Sequence, residues 1–554
     1  MEYIYGASVQ GIQSFIFQTN KLKEIVGASQ LVDDIFGESF EKFCLERAVP
    51  HNSLDIIMSA AGSIKLIADR DSCEKVAKFF PMYVSNYAPG ITISQAVEEF
   101  DKNTDNIQSK IDALEQKLKA QRNKPGMPVD IGFMGLERAR RTGGVAYKPA
   151  GKNETGFDDR GTYQKKYDAT KLNSKGLPIQ RQSLNLFTKF SSYHENYSVN
   201  GKDVPYDIEE ITKQSDNGWL AIVHADGNGL GHLLQNLSKN IEDSEKKSNA
   251  FRRFSKELEK ATKAAAKIAF RTVIPLDWQK KIEKEGNKER FPIRPVVLGG
   301  DDLTVIIRAD LAYLFTKSYL EAFEKMTKEH FSFMEKEFGL DDFSNGLTAC
   351  AGIAYIKQSY PFHYGVHLAT GLTSQTKKVL KNINDGKAPS ALNFYKVQAS
   401  FIDSLSEMKK RTHVATVSKV SFDYGPYVIN AKDAKNGVKH ISELDKGLIA
   451  LEKVDEDEKN GVAKLRQWSA ELHRNSAKAE FMKKRMSQVN SKLYSDLCLE
   501  HILEPIFKKG EKGINQFLEG IDEEKFKNES YTHKSKVNDL IALSSFKSLY
   551  KIKK

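Results

Sequence analysis

Asp226, Asp301 and Asp302 are the residues of this 554-residue sequence whose type and setting point to chemistry. Asp226 closes an apolar run from Trp219 to Ala225 and opens the string Asp226-Gly227-Asn228-Gly229-Leu230-Gly231. Asp301 and Asp302 follow Gly299-Gly300 between two runs of β-forming residues, Arg294 to Leu298 and Leu303 to Arg308. Carboxylates are hard oxygen ligands suited to Mg²⁺ or Mn²⁺. Nucleotidyl transfer from a triphosphate uses two such ions roughly 4 Å apart, one at the attacking hydroxyl and one at the leaving pyrophosphate. If the strand ending at Asp226 neighbours the hairpin carrying the other two acids, all three meet at one sheet edge. Adjacent side chains of a strand point to opposite faces, so Asp226 and Asp302 make the firmer pair, and Asp301 joins them only if the turn redirects it.

Nucleotide contacts are expected around these acids. Gly299 and Gly300 leave the backbone bare for a close approach, while Gly227, Asn228, Gly229 and the helix that follows offer free N–H groups and a favourable dipole to phosphates. Lys377 and Lys378, on a later helix, could add positive charge, although solvated lysines on a helix face are the plainer reading. Paired Asp in a Gly-rich hairpin is likewise an ordinary turn composition; the matching Asp226 is what lifts it above that. Gly227 to Gly231 does not fit a dinucleotide fingerprint, because its third glycine comes one residue early, and no Walker-type phosphate loop is present. His363 and His367 stand one helical turn apart without an acid or Cys partner, which favours a packing or surface role over zinc.

The elements that must position these residues follow from apolar spacing. Tyr3 to Ser8 predicts a strand, about Ile12 to Phe36 a helix, and the residues around Ala60-Ala61-Gly62-Ser63 a strand pair. Arg138 to Asp216 predicts a connector with few regular elements. Trp219 to Ala225 predicts a buried strand, Asp243 to Thr272 a long helix, Arg294 to Arg308 a hairpin, Leu311 to Phe338 a helix, Leu347 to Ile356 a strand and His363 to Asn382 a helix. That order is ferredoxin-like. From about Ala399 the chain is Lys-rich with helical period, including Leu444 to Leu451, Val462 to Leu472 and Phe517 onward. The predicted class is α+β: a first palm-like domain over 1–137, a connector over 138–217, a second palm over 218–398 and a helical C-terminal domain over 399–554.

The first part repeats the order of the second: strand, Gly-containing turn, helix, hairpin. Its hairpin bears Ala60, Ala61, Gly62 and Ser63 where the later one bears Gly299, Gly300, Asp301 and Asp302. A duplicated domain with one working and one degenerate site is the expectation, the degenerate copy positioning a nucleotide through residues such as Ser8 without holding metal.

Composition bounds the partners. Lys and Arg exceed Asp and Glu by 84 to 73, a formal charge of +11, which favours polyanions such as RNA and nucleotides. The four cysteines are far apart and include no Cys-x-x-Cys pair, which argues against a zinc ribbon or a disulfide framework and for a reducing, cytoplasmic setting. No run is long and apolar enough to span a membrane.

The motifs resemble the large polymerase/cyclase subunit of type III CRISPR effector complexes. The resembling pieces are Gly11-Ile12-Gln13, Phe15-Ile16, Lys21-Leu22 and Gly27-Ala28-Ser29 in the first copy, and Asp226 to Gly231, Leu298 to Leu303 and Leu347 to Ile356 in the second. The resemblance implies two facing palms, a helical C-terminal domain, and synthesis of cyclic oligoadenylate from ATP in antiviral defence when RNA is bound, with other effector subunits as partners. It implies Asp226, Asp301 and Asp302 as ligands of two Mg²⁺ or Mn²⁺ ions. The family's N-terminal His-Asp nuclease domain and the zinc-binding cysteines between its palms have no counterpart here, Arg138 to Gly144 standing near the latter, so DNA cleavage is not expected. A diguanylate-type cyclase and a non-catalytic RNA- or protein-binding scaffold are the alternatives; the first typically carries Glu where Asp302 stands.

Overall fold

In a computed structural model the chain is described over residues 2–60, 62–102, 104–124, 133–151, 154–172, 178–181, 184–191, 201, 203–213, 218–241, 244–275, 290–338, 343, 345–383, 388–398, 404–435, 437–456, 461–489, 504–505 and 533–546. The protein is α+β, and its two main sheets share a plan. The first contains β1 (Glu2–Gln10), β2 (Leu54–Ala60), β3 (Ser63–Asp69) and β4 (Thr92–Phe100) in the order β2-β3-β1-β4. Its helices are α1 (Ile12–Ile16), α2 (Leu22–Ile35), α3 (Glu38–Glu46), α4 (Arg70–Tyr87) and α5 (Ile107–Arg122). The helix expected from Ile12 to Phe36 is therefore two, because Lys21 is extended and its N–H is taken by the Thr19 hydroxyl.

The connector is more ordered than its composition suggests. It holds a hairpin of β5 (Ala146–Pro149) and β6 (Phe157–Asp159), then α6 (Arg160–Lys166), a pair β7 (Tyr167–Leu172) and β8 (Pro178–Gln180), α7 (Leu184–Phe190) and α8 (Ile208–Thr212). Ion pairs rather than an apolar period hold part of it. Lys166, 2% exposed, binds Glu154 at 2.5 Å and Asp158 at 2.9 Å, and Arg141 binds Glu24 of α2 at 2.6 Å.

The second main sheet carries the acids. It runs β10 (Ile293–Gly299), β11 (Asp302–Arg308), β9 (Trp219–Gly227), β12 (Ala349–Lys357), β13 (Ala391–Lys396), followed by two short C-terminal strands, Tyr427–Val428 and Lys439–His440. Its helices are α9 (Leu230–Asn240), α10 (Ser244–Val273), α11 (Ala309–His330), α12 (Ser332–Phe338) and α13 (Phe362–Ile383). The helix expected from Leu311 to Phe338 breaks at Phe331, whose ring is buried. C-terminal helices over Ser442–Glu456, Gly461–Arg474, Ser476–Val489 and Val537–Ser544 match the helical period there, and the segment expected from Phe517 onward lies outside the described residues up to His533. No helix among the described residues is long and apolar enough to cross a membrane.

The duplication extends to detail. β10-β11-β9-β12 repeats the order β2-β3-β1-β4. The strand leading into each hairpin has one bulge, between Ile56 and Met58 in the first and between Pro295 and Val297 in the second. A left-handed glycine stands at the N-terminus of the following helix in both, Gly11 at φ 61° and Gly229 at φ 73°, a conformation that disfavours any side chain. β9 is buried along nearly its whole length, as a central strand covered on both faces should be. Val223, Ala225, Leu303 and Val305 face α10 and α11, while Leu220, Ile222 and Ile306 share an apolar core with α13 and with Tyr5, Ala7, Val9 and Ile64 of the first sheet.

Candidate active site

Register brings Asp226 and Asp302 together. β11 pairs antiparallel with β9 through Leu303 opposite Ala225 and Thr304 opposite His224, so Asp302 comes opposite Asp226 with its side chain on the same face. The turn Gly300-Asp301 links Gly299 to Asp302, with Gly300 at φ 60°, the sign that a tight hairpin needs at its first central position. Thr262 of α10 pins that turn by donating to the Gly300 carbonyl at 2.6 Å. Asp301 lies against the Gly227 backbone, where a Cβ would be 2.8 Å from both its Cβ and Oδ2, and it reaches Asp226 through a hydrogen bond. Gly227 is thus the small residue that admits this carboxylate to the edge.

The electrostatics are those of crowded acids. Asp301 is pushed up to about 7 by burial, by the charge of Asp226 and by a hydrogen bond to it. Asp302 is pushed up to about 7 as well, by burial first and Asp226 second. Like charges brought close in a half-buried site hold protons that isolated carboxylates would release. Lys377 answers part of this repulsion, its Nζ donating to Asp226 Oδ2 at 2.5 Å and to the Gly227 carbonyl at 2.6 Å. Lys378, the next residue, is exposed.

The same face holds residues that motif reading missed. His224, two positions before Asp226, is buried and held down to about 4, first by burial. Its Nδ1 lies 3.1 Å from Thr304 Oγ1 and 3.4 Å from Asp302 Oδ1. The period-two alternation of β9 was the available signal for His224, and that of β11 for Thr304.

A cavity of about 760 Å³ opens over this edge between the two palms, lined by Val9, Gly11, Gln13 and Gly62 from the first and by Gly299, Gly300, Asp302 and Thr304 from the second. Among the expected nucleotide-contacting residues, Gly299 and Gly300 line it. Asn228 turns inward instead, 7% exposed, its amide donating to Thr348 Oγ1 and the Ala388 carbonyl at 3.1 Å each. Gly229 caps α9 with open space around it. Ser8 lies outside the lining: its hydroxyl accepts from Arg122 of α5 at 3.3 Å, on the side where Leu114 crowds Gly6. Strand alternation, which sends Val9 to the cavity, sends Ser8 to the other face. The His363 ring lies tilted against that of Tyr364, with centroids 3.9 Å apart.

The donor set suits divalent ions of one kind. Among the described residues no three His, Cys, Asp or Glu groups converge into a cage. Mg²⁺ seldom uses one, being held by one or two carboxylates together with waters and substrate phosphates. Asp302 Oδ1 is buried and lacks a hydrogen-bond partner among the described residues, a lone pair that a cation would satisfy. The residues present fit ions shared with a triphosphate.

Residues 219–385 match the sequence family described as Cas10/Cmr2, second palm domain. No curated protein matches the chain. Similar solved structures include the apo Csm1–Csm4 cassette, at 15% identity and TM-score 0.47 over 98% of this chain and 69% of that one. The Csm1–Csm4 cassette in complex with cA4 is 15% identical with TM-score 0.43 over 83% of this chain, which spans 63% of that chain's length. Csm1 of T. onnurineus is 14% identical with TM-score 0.40, covering 85% of this chain and 63% of that one. With β9, the acid-bearing hairpin, β12 and α13 all inside the matched residues, the segment 219–385 belongs to the Cas10/Cmr2 second palm domain family.

Proposed function

We propose that this protein is a metal-dependent nucleotidyltransferase that joins ATP into a cyclic oligoadenylate, a second messenger of antiviral defence, as part of a type III CRISPR effector assembly that responds to RNA. The observation that carries this reading is the juxtaposition of Asp226 and Asp302 on one face of the sheet, with Asp301 hydrogen-bonded to Asp226, at a glycine-bare edge where Asp302 lines the cavity between the palms. Asp226, Asp301 and Asp302 would hold Mg²⁺ or Mn²⁺, which when bound would lower the pKa of an attacking ribose hydroxyl and neutralise the pyrophosphate that leaves the donor's α-phosphorus.

The chain's own residues supply the rest. Gly299 and Gly300 let the triphosphate lie against the backbone. Lys377 moves its charge from Asp226 to the phosphates. Gly11 and Gln13 of the first palm hold the acceptor nucleotide, so that catalysis gains chiefly from orientation. The first palm over 1–137, the second over 218–398, the connector and the C-terminal helices form the working units in this reading. Incubating the purified protein with labelled ATP or GTP and Mg²⁺ or Mn²⁺, with and without RNA, and resolving the products is the test. Cyclic oligoadenylate is the expected product; cyclic diguanylate, or none under any condition, would replace this reading with the diguanylate cyclase or the scaffold.

A further inference from the structure

Tyr319 lies on α11, beneath the acid-bearing sheet on the side away from the first palm. Its side chain is fully buried between the rings of Phe315 and Phe323, at centroid distances of 6.4 and 5.9 Å. Among the described residues its hydroxyl has no hydrogen-bond partner. An unpaired buried hydroxyl has given up its bonds to water with none in exchange, so Phe would serve this position better unless a partner arrives in another state.

The charges that act on it are those of the acids at the sheet edge. Burial first, and then the charges of Asp301, Asp302 and Asp226 in that order, raise the phenol's pKa. Two observations put Asp301 on the α11 side of the sheet. Gly227 shares a face with Val223 and Ala225, which pack in one core with Tyr319. Asp301 Cβ and Oδ2 occupy the space that a Gly227 side chain would need. Asp301 is meanwhile hydrogen-bonded to Asp226 and makes no hydrogen bond to the phenol.

We propose that Tyr319 is a positioning residue for Asp301: when metal and nucleotide load the site and draw Asp226 away, the Tyr319 hydroxyl donates to the Asp301 carboxylate and fixes its orientation. This rests on reading the acid edge as a metal-dependent triphosphate site. Tyr319 does not line the cavity, so its effect is on how tightly the loaded arrangement is held.

The test is Tyr319→Phe beside Asp302→Asn, melted alone and with Mn²⁺ plus a non-hydrolysable ATP analogue, with a Mg²⁺ titration of activity. Without ligand the Phe variant should melt no lower than the wild type, because it lacks only a hydroxyl that had no partner. Its rise in Tm on adding Mn²⁺ and analogue should be smaller than the wild type's, and its half-saturating Mg²⁺ higher by on the order of tenfold, the value of one hydrogen bond to a charged group. A full ligand-induced rise and an unchanged Mg²⁺ requirement overturn the positioning role and leave the site reading standing. A ligand-free melt below the wild type's shows a hydroxyl already partnered at rest, and overturns it too. If the wild type gains no stability from Mn²⁺ and analogue and Asp302→Asn behaves identically, the site reading fails and the role of Tyr319 falls with it.

Discussion

Lys377 Nζ sits 2.5 Å from Asp226 Oδ2, and the same ammonium reaches the Gly227 carbonyl at 2.6 Å. A divalent cation arriving at Asp226 meets an ammonium already there. Lys377→Met should therefore separate two effects: kcat/KM for ATP falls about tenfold or more without the charge-assisted bond to phosphate, while Mg²⁺ binding to the nucleotide-free protein is unchanged or tighter. Steady-state kinetics beside calorimetric Mg²⁺ titration measures both. Weaker Mg²⁺ binding in the variant would show that Lys377 supports the ion site instead of competing with it.

Asp302→Asn should abolish product while leaving the fold intact, and its stability should carry the opposite sign from its activity. The folded-state pKa of Asp302, about 7, lies above the ordinary carboxylate value. The folded protein therefore holds this proton more tightly than the unfolded chain, and stability falls as pH rises from the ordinary carboxylate range through about 7. In chelator at pH 8 the Asn variant should melt at or above the wild type, with the difference shrinking toward pH 5. Melting curves across that range decide it; a variant markedly less stable at pH 8 would contradict the origin given for the shift.

Gly227→Ala places a Cβ 2.8 Å from Asp301 Cβ and Oδ2. Overpacking of this kind typically costs about 1–3 kcal/mol, and here the group displaced is a proposed metal ligand. A fall in turnover of more than about tenfold with a native circular dichroism spectrum is expected, since misplacement of a reacting group by about 1 Å can cost a hundredfold. Native activity would mean that Asp301 is dispensable.

Gln13 and Ser14 line the first-palm side of the cavity and are exposed. Gln13→Trp should slow turnover and raise KM for ATP without moving the Mg²⁺ half-saturation, because the acceptor site is filled and the acids are untouched. Gly62→Val is a poorer probe, since Gly62 has φ 75° and its Cβ would meet Ile12 Cδ1 at 2.7 Å. A shifted metal requirement in Gln13→Trp would end the division of labour between the palms.

Arg138 and Arg140 are exposed on the connector, whereas Arg141 is tied to Glu24 and lies 3.5 Å from Asp158. Replacing Arg138 and Arg140 by Ala should weaken binding of single-stranded RNA and flatten its dependence on salt, by about 0.7 in the log–log slope for each phosphate no longer neutralised. Arg141→Ala should lower Tm instead. Fluorescence anisotropy over a salt series, beside thermal melts, distinguishes them; binding indifferent to salt would assign this surface to a protein partner or to none.

What was legible in the sequence was whatever local pattern encodes. The apolar run before Asp226, the glycine-flanked acid pair and the repeated strand, turn, helix and hairpin order follow from side-chain periodicity and from the left-handed backbone at Gly11 and Gly229. Period two also puts His224 and Thr304 on the acid face, once it is carried two residues further. Tertiary structure alone decided which faces meet. That Lys377 rather than Lys378 reaches Asp226 depends on the rotation of α13, whose approach to β12 is so close that a Cβ on Gly352 would lie 2.2 Å from the Ala369 carbonyl. That Ser8 misses the cavity depends on which side of the first sheet α5 covers. The order of the connector rests on Lys166, Glu154, Asp158, Arg141 and Glu24, charges that leave no apolar period to read and of which Glu24 lies far off in α2. The burial of Tyr319 under the acids is set the same way. Periodicity records how a segment turns its own side chains; the partner across the interface is chosen by packing, which no single segment contains.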